Sequence, residues 1–136
     1  MSGTGNVITN HALINSAELQ ACGTSPFVLI GAQGAGITTR VLSVTYRYNF
    51  GTTPYSEPAG GGLFYGSASG PAADSGDQQI LEANASAQAQ AVPIEGAVEP
   101  SAAYENQPIV FANSGGNPSG GDGTLYVTTV FITEKP

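Results

Sequence analysis

The sequence predicts an all-β protein, an antiparallel β-sandwich of jelly-roll-like form with one short N-terminal helix. Three observations carry that expectation. Short runs rich in β-branched and aromatic residues recur between Gly-rich turns, above all TLYVTTVFIT at 124–133. The run beginning at Ile37 alternates at period two as far as Tyr48. One stretch alone carries a convincing helix signal, and prolines at 93, 100 and 108 exclude a long helix in the second half.

In chain order, residues 1–14 are polar and glycine-bearing, with Val7-Ile8 and Ala12-Leu13-Ile14 as small apolar footholds. They read as an N-terminal arm rather than a core strand, with residues 15–136 as a single sandwich domain. Asn15 or Ser16 followed by Glu18, with Gly23 as a stop, is a helix of about two turns whose Leu19 and Cys22 face inward. Ser25–Ile30 reads as a strand ended by the turn Gly31–Gly36. The long strand from Ile37 then places Leu42, Val44, Tyr46, Tyr48 and Phe50 on one face. Its corner at Tyr48-Asn49-Phe50-Gly51 fixes where the chain leaves the sheet, so 40–64 is expected to be a core strand followed by a shaped connection. Leu63–Gly66 is a short strand, Gln78–Ala83 is strand or helix, and the alanine-alternating stretch after it is extended edge structure. Pro108–Ala112 and Thr124–Thr133 complete the set, the last of them apolar on both faces and so expected at the centre of a sheet, buried on each side.

The chain has 136 residues, enough for one domain that buries about two-thirds of its surface. Nineteen glycines burden so small a core, because ordering glycine loses more backbone freedom than ordering any other residue. Partner subunits are expected to help hold the fold. Only 10% of residues are charged while 40% are hydrophobic, which argues against a disordered chain and for a neutral, hydroxyl- and amide-rich surface suited to protein contact. Ten acids against Arg40, Arg47 and Lys135 give a net charge of −7, too few cations to bind nucleic acid through its phosphates. The start of the chain lacks a secretory signal, and its longest apolar runs are far too short to span a membrane. A soluble chain made in the cytoplasm is expected.

Candidate chemistry is sparse. The Gly31–Gly36 loop lacks the Gly-Lys-Ser/Thr ending of a phosphate loop and sits between strands. His11 is the sole histidine and Cys22 the sole cysteine, so an intramolecular disulfide is excluded and Cys22 cannot by itself make a cysteine metal site, and no nucleophile motif surrounds either residue. Asp74, Asp77 and Glu82 could offer oxygen to calcium but lack a calcium-loop spacing. Asp122-Gly123 reads as turn chemistry. No catalytic residue, cofactor site or metal site is expected, and the protein reads as a non-enzyme. The tyrosines and phenylalanines between Tyr46 and Tyr65 fit an aromatic core with a subunit interface better than a sugar-binding surface.

Taken together, Gly34-Ala35-Gly36, Tyr48–Tyr55, Leu63–Gly66, Tyr104–Pro108 and Gly121–Leu125 resemble small tailed-phage virion proteins of the capsid decoration, or cement, type. The resemblance covers about residues 25–133 and departs from the pattern in the arm and around Glu57-Pro58. It implies a protein on the outer surface of the head that staples neighbouring capsomers. Its partners would be the major capsid protein and further copies of itself, a trimer favoured over a dimer. Interface contacts are expected from Val7, Ile8, Leu13, Ile14, Tyr55, Tyr65 and Tyr126. The alternative is a tail or fibre module binding host carbohydrate through exposed Tyr55 and Tyr65.

Overall fold

The computed structural model describes residues 6–94 and 101–135. Among the described residues seven strands occur: β1 (Ile8–Ile14), β2 (Phe27–Ile30), β3 (Thr38–Asn49), β4 (Gly61–Tyr65), β5 (Ala87–Ala91), β6 (Ile109–Asn113) and β7 (Thr124–Glu134). One helical turn, α1 (Ser16–Leu19), and short 3₁₀ turns at Ile80–Glu82 and Ser101–Ala103 complete the described elements. The strands form a four-stranded sheet ordered β1-β7-β3-β5 and a three-stranded sheet ordered β2-β6-β4. Every pairing is antiparallel.

Successive strands alternate between the two sheets, which is the winding of a jelly roll. Where such a fold would have one more strand beside β4, the chain at 71–73 hydrogen-bonds along it instead: Tyr65 N–H donates to Pro71 O and Ala73 N–H to Leu63 O, at 2.9 and 2.7 Å. The inner faces supply one core, in which Tyr46, Tyr48, Leu63, Leu81, Ile109, Phe111, Leu125 and Val127 are almost wholly buried. Tyr46 of β3 meets Phe111 of β6 edge-on across the sandwich, their ring centroids 5.9 Å apart.

Four sequence expectations change. Ile8–Ile14 is no arm: it is an edge strand paired with β7 from Ile8↔Phe131 to Ile14↔Leu125. Pairing satisfies the outer ladder of β7, and the Asn10 side chain donates to Leu29 O across the sandwich at 3.1 Å, so even the polar positions find partners. Residues 1–5 of the expected arm lie outside the described residues. The helix is one turn rather than two, although its Asn15–Glu18 capping box forms in both directions and Leu19 and Cys22 are fully buried as expected. A bulge between Val41 and Ser43 shifts the register of β3, so Thr39 and Val41 point inward before it and Val44, Tyr46 and Tyr48 after it. Leu42, which strict alternation places in the core, is therefore exposed. Finally, β7 is central but buries only Leu125, Val127, Thr129 and Phe131; its other face is half-exposed because nothing among the described residues covers that side of the sheet.

Candidate functional site

Two features of the structure bear on function: the uncovered face of the four-stranded sheet, and a group of carboxylates buried between the connections at the other side of the core.

The uncovered face is built from cross-strand rows. Leu13 opposes Tyr126, which opposes Arg47, which opposes Gln88. The next row runs His11, Thr128, Thr45 and Gln90, and beyond it Thr9, Val130 and Ser43. His11 stacks on the Tyr126 ring with centroids 5.7 Å apart and shares a 3.1 Å hydrogen bond with Thr128 Oγ1. Both arginines of the chain lie here, Arg40 within 3.8 Å of Glu134 at one end and Arg47 in the Tyr126 row. An acidic protein thus presents its arginines, with hydroxyls and scattered apolar side chains, on a single sheet face. At about 4.8 Å between strands and 3.4 Å per residue, four strands offer a footprint on the order of 500 Å².

Of the expected interface residues, Val7, Ile8 and Leu13 are exposed by 64%, 45% and 56%, and half-buried Tyr126 sits mid-face. Ile14, Tyr55 and Tyr65 are not available for contact: all three are buried in the subunit's own core. The two tyrosines are fixed by their hydroxyls, Tyr55 donating to Gly123 O at 2.7 Å and Tyr65 to Thr39 O at 2.9 Å. This also removes both tyrosines on which a carbohydrate-binding surface was to rest. The connection after β3 is instead docked on the turn before β7, where Asp122 accepts from the Thr52 and Thr53 N–H groups at 2.8 and 3.0 Å and from the Thr52 hydroxyl. Those bonds, led by the Thr52 hydroxyl, hold the Asp122 carboxyl below its ordinary value.

The residues considered for catalysis are kept apart. His11 is on the uncovered face, whereas Cys22 is in the core with its thiol pushed up to about 12, chiefly by burial and then by the charge of Glu57. Among the described residues no group of three or more His, Cys, Asp or Glu side chains is arranged to hold a metal ion. A shallow groove of about 630 Å³ runs beside Tyr65, Ser67, Ser69, Ala103 and Gln107, but the two serines bond each other at 3.0 Å and no base faces them.

The carboxylates were not legible as a group in the sequence. Glu57, Asp74 and Asp77 are 6%, 4% and 0% exposed. Asp74 receives the Tyr46 hydroxyl and the Leu63 and Gly76 N–H groups. Glu57 accepts from Leu81 N–H at 3.2 Å, and it shares the Gly61 N–H with Asp77, at 3.2 and 3.0 Å respectively. Burial is the first cause that raises all three carboxyls, Glu57 to about 8 and Asp77 to about 7; Asp77 is the next cause for Glu57.

Neither a protein-family model nor a curated protein matches the sequence. Among solved structures, a chain described as "Cyanophage Pam1 capsid asymmetric unit" superposes with a TM-score of 0.51 at 15% identity, covering 96% of this chain and 85% of that one. The two share a fold. At that identity the likeness speaks for architecture alone, and it extends over almost every residue of the sandwich.

Proposed function

We propose that the protein is a non-enzymatic phage capsid decoration, or cement, protein that binds the outer surface of the head and stabilises contacts between capsomers. The observation that carries this reading is the fold shared with a chain of a cyanophage capsid over 96% of the length. An open sheet face supports it. Its partners on this reading are the major capsid protein and other copies of the chain, a trimer favoured, with synthesis in the host cytoplasm before assembly.

The mechanism follows from modest contacts repeated by symmetry. A face of this size falls short of the roughly 800 Å² per partner typical of a stable pair, so one contact binds weakly. Many such contacts on one lattice act together, each raising the effective concentration for the next. Arg47 and Tyr126 are the anchors of choice, since Arg and Tyr dominate binding energy where they are packed and dried.

Heads lacking the protein should rupture at lower temperature and on milder osmotic shock than complete heads. Added wild-type protein should restore them, and an Arg47→Glu, Tyr126→Ala variant should not. Equal resistance with and without the protein would overturn the proposal.

A further inference from the structure

The Glu57–Asp77 pair has an unusual position for two acids. Their oxygens converge on a single donor, Gly61 N–H, and the remaining Asp77 oxygen, Oδ2, is buried without a hydrogen-bond partner. Every ionisable group that faces the pair is acidic or neutral: Asp74 from the 71–76 connection, Glu82 (which accepts from Glu57 N–H at 2.8 Å), Tyr46 from β3 and the Cys22 thiol after α1. Among the described residues no cation approaches, because Arg40 and Arg47 occupy the opposite face of the β3 sheet and Lys135 follows the end of β7. A bound proton is the counter-charge that the site itself provides for.

The same two side chains hold a strained piece of backbone. Gln78 and Gln79 are consecutive non-glycine residues in the left-handed region, with φ of 58° and 57°. Gln79 N–H is tied to Asp77 Oδ1 at 2.9 Å and Leu81 N–H to Glu57 Oε1 at 3.2 Å. The turn that follows packs on β5, the edge strand of its sheet, and a groove of about 470 Å³ separates segment 77–83 from Ala87–Ala89.

We propose that a proton held between Glu57 and Asp77 is a latch that fastens segment 77–83 against the edge of β5, and that release of this proton to solvent frees the segment. With both carboxylates ionised, two negative charges meet at the Gly61 N–H in a buried site, and the bonds from Gln79 and Leu81 N–H, with the 3.4 Å bond from Asn113 Nδ2 to Glu57 Oε2, must offset that repulsion and the backbone strain. Opening exposes Ile80, Leu81 and the unpaired ladder of β5, which is the kind of edge that accepts an added strand. The raised carboxyls agree with the geometry and fix the direction. Folded values of about 8 and 7 stand above ordinary values of 4.5 and 3.8, so closure is strongest at low pH, weakens as pH rises through that interval, and levels off beyond about 8. The latch stands apart from the capsid reading and holds whether or not that reading survives.

Amide hydrogen exchange tests it, with rates corrected for the intrinsic pH dependence of exchange. Between pH 5 and 7, protection of the Leu81 and Gln79 amides should fall about tenfold per unit for one proton. Amides of the β3–β7 ladder, which exchange on global unfolding, should stay far more protected than Leu81 at every pH in that range. Glu57→Gln, which removes one of the two charges and keeps an oxygen for the Leu81 N–H, should keep Leu81 protected throughout. A flat wild-type profile at Leu81 would overturn the latch, as would protection at Leu81 no lower than that of the β3–β7 ladder or an unchanged slope in Glu57→Gln. Were that variant unable to fold, the wild-type contrast between Leu81 and the ladder decides alone.

Discussion

Gly61→Ala offers a sharp test of how the sandwich is packed, because the substitution adds one methyl group at a known place. A Cβ on Gly61 would stand 2.5 Å from Phe111 Cζ, 3.1 Å from Phe111 Cε1 and 3.0 Å from Asp77 Oδ2. Ordinary contact begins near 3.4 Å, so the ring would have to retreat by almost an ångström. Phe111 has nowhere to go: it is fully buried and set edge-on against Tyr46. Overpacking of this kind destabilises by about 1–3 kcal/mol, and for a domain of this size the melting temperature drops by about 3–5 °C per kcal/mol. Calorimetry should therefore show Gly61→Ala melting about 3–15 °C below wild type. Phe111→Leu removes the clashing ring edge at its own cost, so the double variant should be more stable than the sum of the two single changes by about 1 kcal/mol or more. Gly31→Ala is the control, since no atom lies within 4 Å of its Cβ position and its φ is not positive; it should melt with wild type or slightly above. Strict additivity in the double variant, or an unshifted Gly61→Ala, would refute the packing argument.

Three further outcomes follow from the same structure. Global stability should fall as pH rises from about 5 to 8, because the native chain keeps a proton on the Glu57–Asp77 pair that the unfolded chain releases; Glu57→Gln should flatten the thermal profile and gain on the order of a few kcal/mol over wild type at pH 8. Tyr46→Phe removes the hydroxyl that donates to the buried Asp74 carboxylate and should lower urea stability by about 1–3 kcal/mol. The β3 bulge makes neighbouring residues unequal: Leu42→Ser should change stability by no more than about 0.5 kcal/mol, whereas Val44→Ser, at 1% exposure, should cost about 2 kcal/mol or more in the same assay.

The parts of the fold that sequence discloses are those in which local pattern and final environment agree. Thr124–Thr133 is β-branched or aromatic at all but Leu125, and it becomes a strand with a neighbour on each side; Gly34 and Gly36 adopt the positive φ that a glycine turn between strands invites. Disagreement arises where distant residues decide. Ile8–Ile14 is too polar to announce a core strand, and only the free edge of β7, more than a hundred residues away, makes it one. Nothing in the alternation around Leu42 marks a bulge. Tyr55 and Tyr65, set among Gly, Ser and Pro, look exposed; their hydroxyls reach backbone carbonyls 68 and 26 residues away and so can be buried without loss. Glu57 and Asp77 lie in segments that read as loops, where acids are expected to meet water, and no local spacing reveals that Gly61 draws them together. The uncovered face is only half legible for the same reason: Leu13 and Tyr126 stand out in the sequence as apolar or aromatic side chains at a surface, but their alignment with Arg47 depends on register.

The placement of β7 between β1 and β3 has a consequence for how the chain acquires its structure. Among the described residues the earliest strand finds its ladder partner in the latest, with Ile8 opposite Phe131. Loop closure over such separations must be met before any pairing rewards it, which makes folding slow, on the order of milliseconds to seconds. Until Thr124–Glu134 joins, β1 has no neighbour and β3 has only the short alanine-glutamine strand β5. A chain truncated before residue 124 should therefore not be a smaller sandwich but an unclosed one, its apolar runs at Phe27–Ile30 and Ile109–Phe111 open to the misassociation that unfinished β-proteins suffer. The central strand is in effect the closing move of folding, and what the subunit can later bind depends on that move having been completed.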